Sequence, residues 1–83
     1  MKLLYFAWLR EKAGVSNEDV FPPDSVATVA DLIHWQIGRG GGHAEAFADL
    51  SVIRIAVNQE YVGFEHPIAP GDEIAFFPPM TGG

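Results

Sequence analysis

The sequence predicts an α+β domain, a mixed β-sheet with one main helix packed on one face. Three observations predict it. Runs rich in β-branched and aromatic residues recur at 2–9, 18–21, 52–58, 61–62 and 73–77. A single strong helical signal opens at Thr28. The chain has 83 residues, room for one core only, so these elements must share it. The order β-β-α-β-β-β with one helix is that of a sheet covered on one side.

Residues 2–9, KLLYFAWL, are apolar at nearly every position, so this strand carries large groups on both faces. Lys12 to Asn17, with Gly14 and Ser16, reads as a loop. EDVF at 18–21 reads as a weak second strand, ended by Pro22-Pro23 and able to pair with the first as a hairpin. Thr28 caps the helix, with Asp31 at the third helical position as a variant of the capping box. Val29, Leu32, Ile33 and Ile37 follow as one apolar stripe, and Gly38 closes the helix. GRGGG at 38–42 reads as a flexible loop, and HAEAFADL at 43–50 as a short helix with Ala44, Phe47 and Ala48 on one side. VIRIAVN at 52–58 sets Val52, Arg54 and Ala56 against Ile53, Ile55 and Val57, the period of a central strand. Asn58-Gln59-Glu60 turns the chain into a short strand beginning at Tyr61-Val62. Pro70-Gly71 reads as the middle of a type II turn, and EIAFF at 73–77 is the last strand.

Parity along the outer runs carries a functional hint. Leu3, Tyr5 and Ala7 share one face of the first strand, and Lys2, Leu4, Phe6 and Trp8 share the other. In the last strand Ile74 and Phe76 oppose Ala75 and Phe77. One helix covers one face. Either loops or a shifted register hide the second set, or large apolar groups stand on an uncovered face and mark a partner site.

Composition excludes several classes. Eleven acidic residues against five basic ones give a net charge of −6, and Lys2, Arg10, Lys12, Arg39 and Arg54 are scattered, so nucleic acid is not an expected partner. No apolar run has the length of a membrane span. The absence of cysteine excludes disulfides, thiolate metal sites and a Cys nucleophile, and the cytoplasm is the default compartment. His34, His43 and His66 lack ligand spacing, so no metal site is expected. Glu18-Asp19 and Asp72-Glu73 read as solvated turn charges, and no serine has an evident activating partner.

What remains is FFPPMTGG at 76–83. Consecutive prolines cannot continue a sheet ladder and favour an extended spacer. Gly82 and Gly83 have no Cβ, so they can thread a narrow channel. The chain therefore divides into a domain at 1–77 and a flexible tail at 78–83, with Met80 to Gly83 expected to be mobile in the isolated protein. A Gly-Gly carboxylate suggests activation at the carboxyl group, which needs conversion to an acyl-adenylate before a nucleophile can take it.

YFAWLREKAG at 5–14, AVNQEYVGFEHPI at 56–68 and GDEIAFFPPMTGG at 71–83, with the TVADL helix start, resemble the MoaD/ThiS family of ubiquitin-like sulfur carriers, and within it the MoaD-type small subunits of molybdopterin synthase. The match covers most of the chain and is loose only at 38–50. The resemblance implies a β-grasp fold. It implies that Gly83 is adenylated, with ATP consumed by an activating enzyme similar to those for ubiquitin and no cofactor bound to the chain itself. A sulfur donor protein then supplies the sulfur of a thiocarboxylate. Thr81 and Gly82 thread the tail into the large catalytic subunit of molybdopterin synthase, where the sulfur passes to cyclic pyranopterin monophosphate. Phe6, Tyr61 and Phe77 are the positions matching the docking face, with Tyr61 standing where the family often has an aliphatic residue. No catalytic side chain of its own is implied. Three other readings stay open: a sulfur carrier for thiamine thiazole synthesis, a ubiquitin-like modifier joined to lysines through Gly83, and a binding module with an inert tail.

Overall fold

The computed structural model describes residues 1–79. In chain order they form β1 (Lys2–Tyr5), α1 (Trp8–Ala13), β2 (Asn17–Asp19), α2 (Val29–Gly38), α3 (Gly41–Ala46), a 3-10 turn (Leu50–Val52), β3 (Arg54–Val57), β4 (Glu60–Val62) and β5 (Glu73–Phe77). The strands make one sheet in the order β2-β1-β5-β3-β4. β1 and β5 run parallel at its centre, and every other pairing is antiparallel. This is a mixed sheet with helices on one face, the β-grasp arrangement.

Alternation along the strands decides which face is core. Leu3 and Tyr5, Ile55 and Val57, and Ile74 and Phe76 are buried, and they meet Leu9 of α1, Val29, Leu32 and Ile33 of α2, and Ala46 and Phe47 at the end of α3. Phe76 lies at the centre. Tyr5 stacks on it with ring centroids 5.7 Å apart, and Phe47 meets it edge-on at 4.9 Å. The helix α2 starts as its sequence requires. Thr28 Oγ1 accepts from the Asp31 amide at 3.2 Å, and Asp31 Oδ2 accepts from the Thr28 and Ala27 amides at 3.2 and 3.1 Å.

Several elements differ from the sequence reading. β1 ends at Tyr5, not at residue 9, and the segment read as strand and loop instead holds α1. The cause is a turn. The Leu9 amide donates to the Phe6 carbonyl at 3.1 Å, and Ala7 between them has φ 54° and ψ −133°. Those angles are the first corner of a type II′ turn, a position dominated by glycine. The chain leaves the sheet there, and Trp8, which parity placed on the uncovered face, instead packs half-buried against the core. LREKA then follows as good helix formers, and Gly14 caps the end with φ 84°.

The GRGGG segment is not a plain loop. Gly41-Gly42 opens α3, and Gly42 lies so close to α1 that a Cβ there would stand 2.1 Å from the Lys12 carbonyl oxygen. α2 also turns slightly further than its apolar stripe suggests. Gln36 is buried, whereas Ile37 is 39% exposed. Residues 50–52 form the 3-10 turn, so the central strand begins only at Arg54. Ala69–Asp72 does make a turn, closed by the Asp72 amide to the Ala69 carbonyl at 3.0 Å, but Gly71 does not take the positive φ of a type II turn.

The β3–β4 hairpin turns through Asn58 and Gln59, with φ of 51° and 71°. Two consecutive positive φ values are the type I′ signature. The Asn58 side chain reaches the start of β5: its amide donates to Asp72 Oδ1 at 3.0 Å, and its Oδ1 accepts from the Glu73 amide at 3.0 Å. The hairpin tip is thus fastened to the central strand.

Candidate functional site

The face of the sheet away from the helices carries an apolar trough. The register explains its shape. Ala56 of β3 pairs with Ala75 of β5, so two methyl groups form the floor. Leu4 stands beside Ala75 on one side, and Tyr61 stands opposite Ala56 on the other. Phe6 and Phe77 close one end. The resulting groove, of about 730 Å³, is lined by Leu4, Phe6, Ala56, Tyr61, Phe77 and Pro79, among others. Phe6 is 49% exposed and Tyr61 80%, while Phe77 is half-buried with its ring centroid 5.4 Å from that of Tyr61. Further along the same face Lys2 pairs with Asp19 and Glu73, and Arg54 lies opposite Phe77, so charged groups flank the apolar floor.

The geometry brings together Phe6, Tyr61 and Phe77, which lie far apart in sequence. Because β1 and β5 are parallel neighbours, Phe6 and Phe77 project from the same ends of adjacent strands, and the Phe6 amide donates to the Phe76 carbonyl at 3.1 Å. Pro78 and Pro79 follow Phe77 at that end and line the trough. Thr81, Gly82 and Gly83 lie outside the described residues, as does the expected mobility of Met80 to Gly83. The floor residues Ala56 and Ala75 carried a signal in parity alone: Ala56 shares its strand face with the exposed Arg54, and Ala75 shares its face with the half-buried Phe77.

The sequence matches the ThiS family over residues 3–83. The chain belongs to the ThiS family. It is 41% identical over 86 residues to the molybdopterin synthase sulfur carrier subunit of Escherichia coli (strain K12), covering 100% of this chain and 99% of that one. The subunit of the same name from Chlamydomonas reinhardtii is 38% identical over 85 residues, covering 100% and 98%. Among solved structures, SAMP1 from Haloferax volcanii superposes with a TM-score of 0.76 at 32% identity, covering 100% of this chain and 98% of that one. Relatives named as subunits make this ThiS-family chain the homologue of one component of a larger assembly.

Elsewhere this ThiS-family chain holds a polar cluster that its sequence does not announce. Glu18, read as a solvated turn charge, pairs with Leu3 across β1–β2 and so stands on the helix-covered side. Arg39 grips its carboxylate with Nη1 at 2.8 Å and Nη2 at 2.9 Å. Tyr5 Oη donates to it at 2.7 Å, and His43 Nε2 lies 2.9 Å away. The buried Gln36 amide donates to Tyr5 Oη and accepts from Arg39 at 2.8 Å. Burial alone would raise the Glu18 pKa; the hydrogen bonds from Arg39, Tyr5 and His43 outweigh it and hold the group at about 2. Burial, then the hydrogen bond and charge of Glu18, push Tyr5 far above the usual phenol range. Every member is satisfied by another, so the cluster reads as a clamp between the edge strand β2 and the α2–α3 junction.

A second cleft, of about 370 Å³, lies beneath Phe21, which is 88% exposed, and the Pro22-Pro23 and Ile68–Pro70 segments. Neither Phe6, Tyr61 nor Phe77 lines it. Among the described residues no group of three or more His, Asp or Glu could hold a metal ion, and no helix is long and apolar enough to cross a membrane.

Proposed function

We propose that the chain is a sulfur carrier in molybdenum cofactor biosynthesis, loaded at Gly83 and docked through the Phe6–Tyr61–Phe77 face. The observation that carries this reading is the trough itself. An apolar groove opens on the sheet face at the end of β5, beside the residues that begin the tail. A partner seated there receives the following segment at a fixed point. The E. coli relative is by name the sulfur carrier subunit of molybdopterin synthase, which supports the large subunit of that synthase as the partner.

The chemistry belongs to the Gly83 carboxylate. It attacks the α-phosphorus of ATP in an adenylating enzyme, and diphosphate leaves. Sulfur supplied at the sulfide level by a donor protein then attacks the acyl carbon, the bond to AMP breaks, and the C-terminus becomes a thiocarboxylate. In the synthase the thiocarboxylate sulfur bonds to cyclic pyranopterin monophosphate, and water cleaves the resulting thioester, leaving the sulfur on the pterin and restoring the Gly83 carboxylate. Gly82 and Gly83 have no Cβ that would obstruct a narrow channel, and Thr81 leads into them. The side chains of this chain take no part in bond making; they dock, orient and project. Intact mass of the protein isolated from its own cells is the test. A fraction heavier by one sulfur-for-oxygen exchange, mapped to Gly83, is expected; only unmodified chain in cells actively making the cofactor sinks the proposal.

A second reading has one observation in its favour. SAMP1 is by title a small archaeal modifier protein, and this chain is similar to it. Gly83 would then be joined to lysine amines on other proteins. Conjugates carrying a Gly-Gly remnant on lysine, traced to this chain, would establish it.

A further inference from the structure

We propose that Ala7 is a positioning residue for docking, acting through Phe6. The inference rests on the docking face proposed above. Among the described residues, the non-glycine positions with positive φ are Ala7, Asn58 and Gln59. Asn tolerates that region; Ala does not. At φ 54° and ψ −133°, Ala7 lies outside the regions open to L-residues with a Cβ. Its side chain caps nothing, and the residue is exposed, so no contact of its own explains the conformation. Such strain persists where the surroundings over-determine it, and it clusters at functional sites.

The surroundings here are four backbone hydrogen bonds. The Tyr5 amide donates to the Ser16 carbonyl at 2.9 Å and the Phe6 amide to Phe76 at 3.1 Å. Leu9 and Arg10 then donate to the Phe6 and Ala7 carbonyls, each at 3.1 Å. Phe6 is therefore held by the sheet on its N–H and by the turn on its C=O. The turn sharpens the exit from β1 at Phe6, which lines the trough together with Tyr61 and Phe77. An ordinary corner at Ala7 would carry the chain onward as strand, and the Phe6 carbonyl would no longer face Leu9. The type II′ corner thus sets where the Phe6 ring stands, and docking affinity should follow the population of that corner.

The test is affinity for the large synthase subunit across a double-mutant cycle. Ala7→Gly relieves the strain and keeps the corner, so it should melt no lower than wild type and dock at least as tightly. Ala7→Val, β-branched and poorly tolerated at positive φ, should weaken docking about tenfold (about 1.4 kcal/mol). In a Phe6→Ala background that Val penalty should vanish, because the residue acts through the ring. Three results overturn the proposal: a Val penalty that persists without the Phe6 ring, a Gly variant that docks distinctly more weakly, or a Val variant that docks as wild type. Should Ala7→Val not fold, Ala7→Ser takes its place with the same expectations in smaller measure. A wild-type chain that shows no docking at all removes the face itself, and is told apart from these by the parent protein alone.

Discussion

Glu18 shows how far one residue can depart from its sequence context. It sits next to Asp19 and before a pair of prolines, and nothing local distinguishes it. Its partners Arg39 and His43 are 21 and 25 residues away, so only the fold assembles them. Its depressed pKa makes the clamp pH-dependent. The usual value is 4.5 and the folded one about 2, so the stabilisation is complete above about pH 4.5 and fades as pH falls towards 2. Glu18→Gln should cost about 1.5–3 kcal/mol at pH 7, the range of hydrogen bonds to a charged group. The gap to wild type should narrow on acidification; urea titrations at pH 7 and pH 3 with equal gaps would refute the assignment. Phe77 is the opposite case, a residue whose place was legible. Its neighbour Phe76 is buried and it is not, as alternation requires. Phe77→Ala should leave the domain folded and weaken docking by about 10- to 100-fold, the value of burying one such side chain at 1.4 kcal/mol per tenfold. A variant that unfolds instead would make Phe77 part of the core.

At the scale of elements, the sequence discloses what is periodic and local. The capping box of α2 and the alternation of β3 and β5 can be read directly, because each depends on spacings within a few residues. α1 could not be read. Its first residues belong to a run of strand formers, and its start is set by backbone angles at Ala7 that no side-chain pattern records. The burial of Gln36 has a tertiary cause: its amide donates to Tyr5 Oη of β1, a contact that the apolar stripe of α2 does not record. A short helix is legible at 43–50, but the true start of α3 at Gly41-Gly42 is hidden by glycines, which are poor helix formers. Packing overrides that cost, since Gly42 is the contact through which α3 approaches α1. Gly42→Ala should destabilise the domain by about 1–3 kcal/mol, the cost of forcing a methyl group into a closed contact. Chemical denaturation measures it directly, and an unchanged midpoint would mean that α1 and α3 are free to part.

At the scale of the whole molecule, the two faces of the sheet have separate duties. The helix side holds the fold together, and the bare side carries the trough proposed above for docking. Removing Gly83 should therefore leave stability and docking nearly unchanged while abolishing sulfur transfer. The new carboxylate on Gly82 would fall short by up to about 3.3–3.6 Å of reach, and a misplacement of 1 Å can cost about a hundredfold in rate. Molybdopterin formation with purified large subunit, activating enzyme, ATP, sulfur source and precursor is the measurement; normal turnover without Gly83 would end the carrier reading. The sheet order carries one more consequence. β5 lies between β1 and β3, so the last strand to be synthesised is the one that joins the first to the middle. A nascent chain that stops before Glu73 has two halves of a sheet and no keystone. It cannot hide Leu3, Tyr5 or Ile55, and a fragment ending there should show no cooperative melting. The strand that completes the fold is also the one that carries the tail, so a tail displayed beside an intact Phe6–Phe77 pair certifies that folding has finished. An enzyme that spends ATP only on chains bearing that pair would never load sulfur onto a half-made carrier.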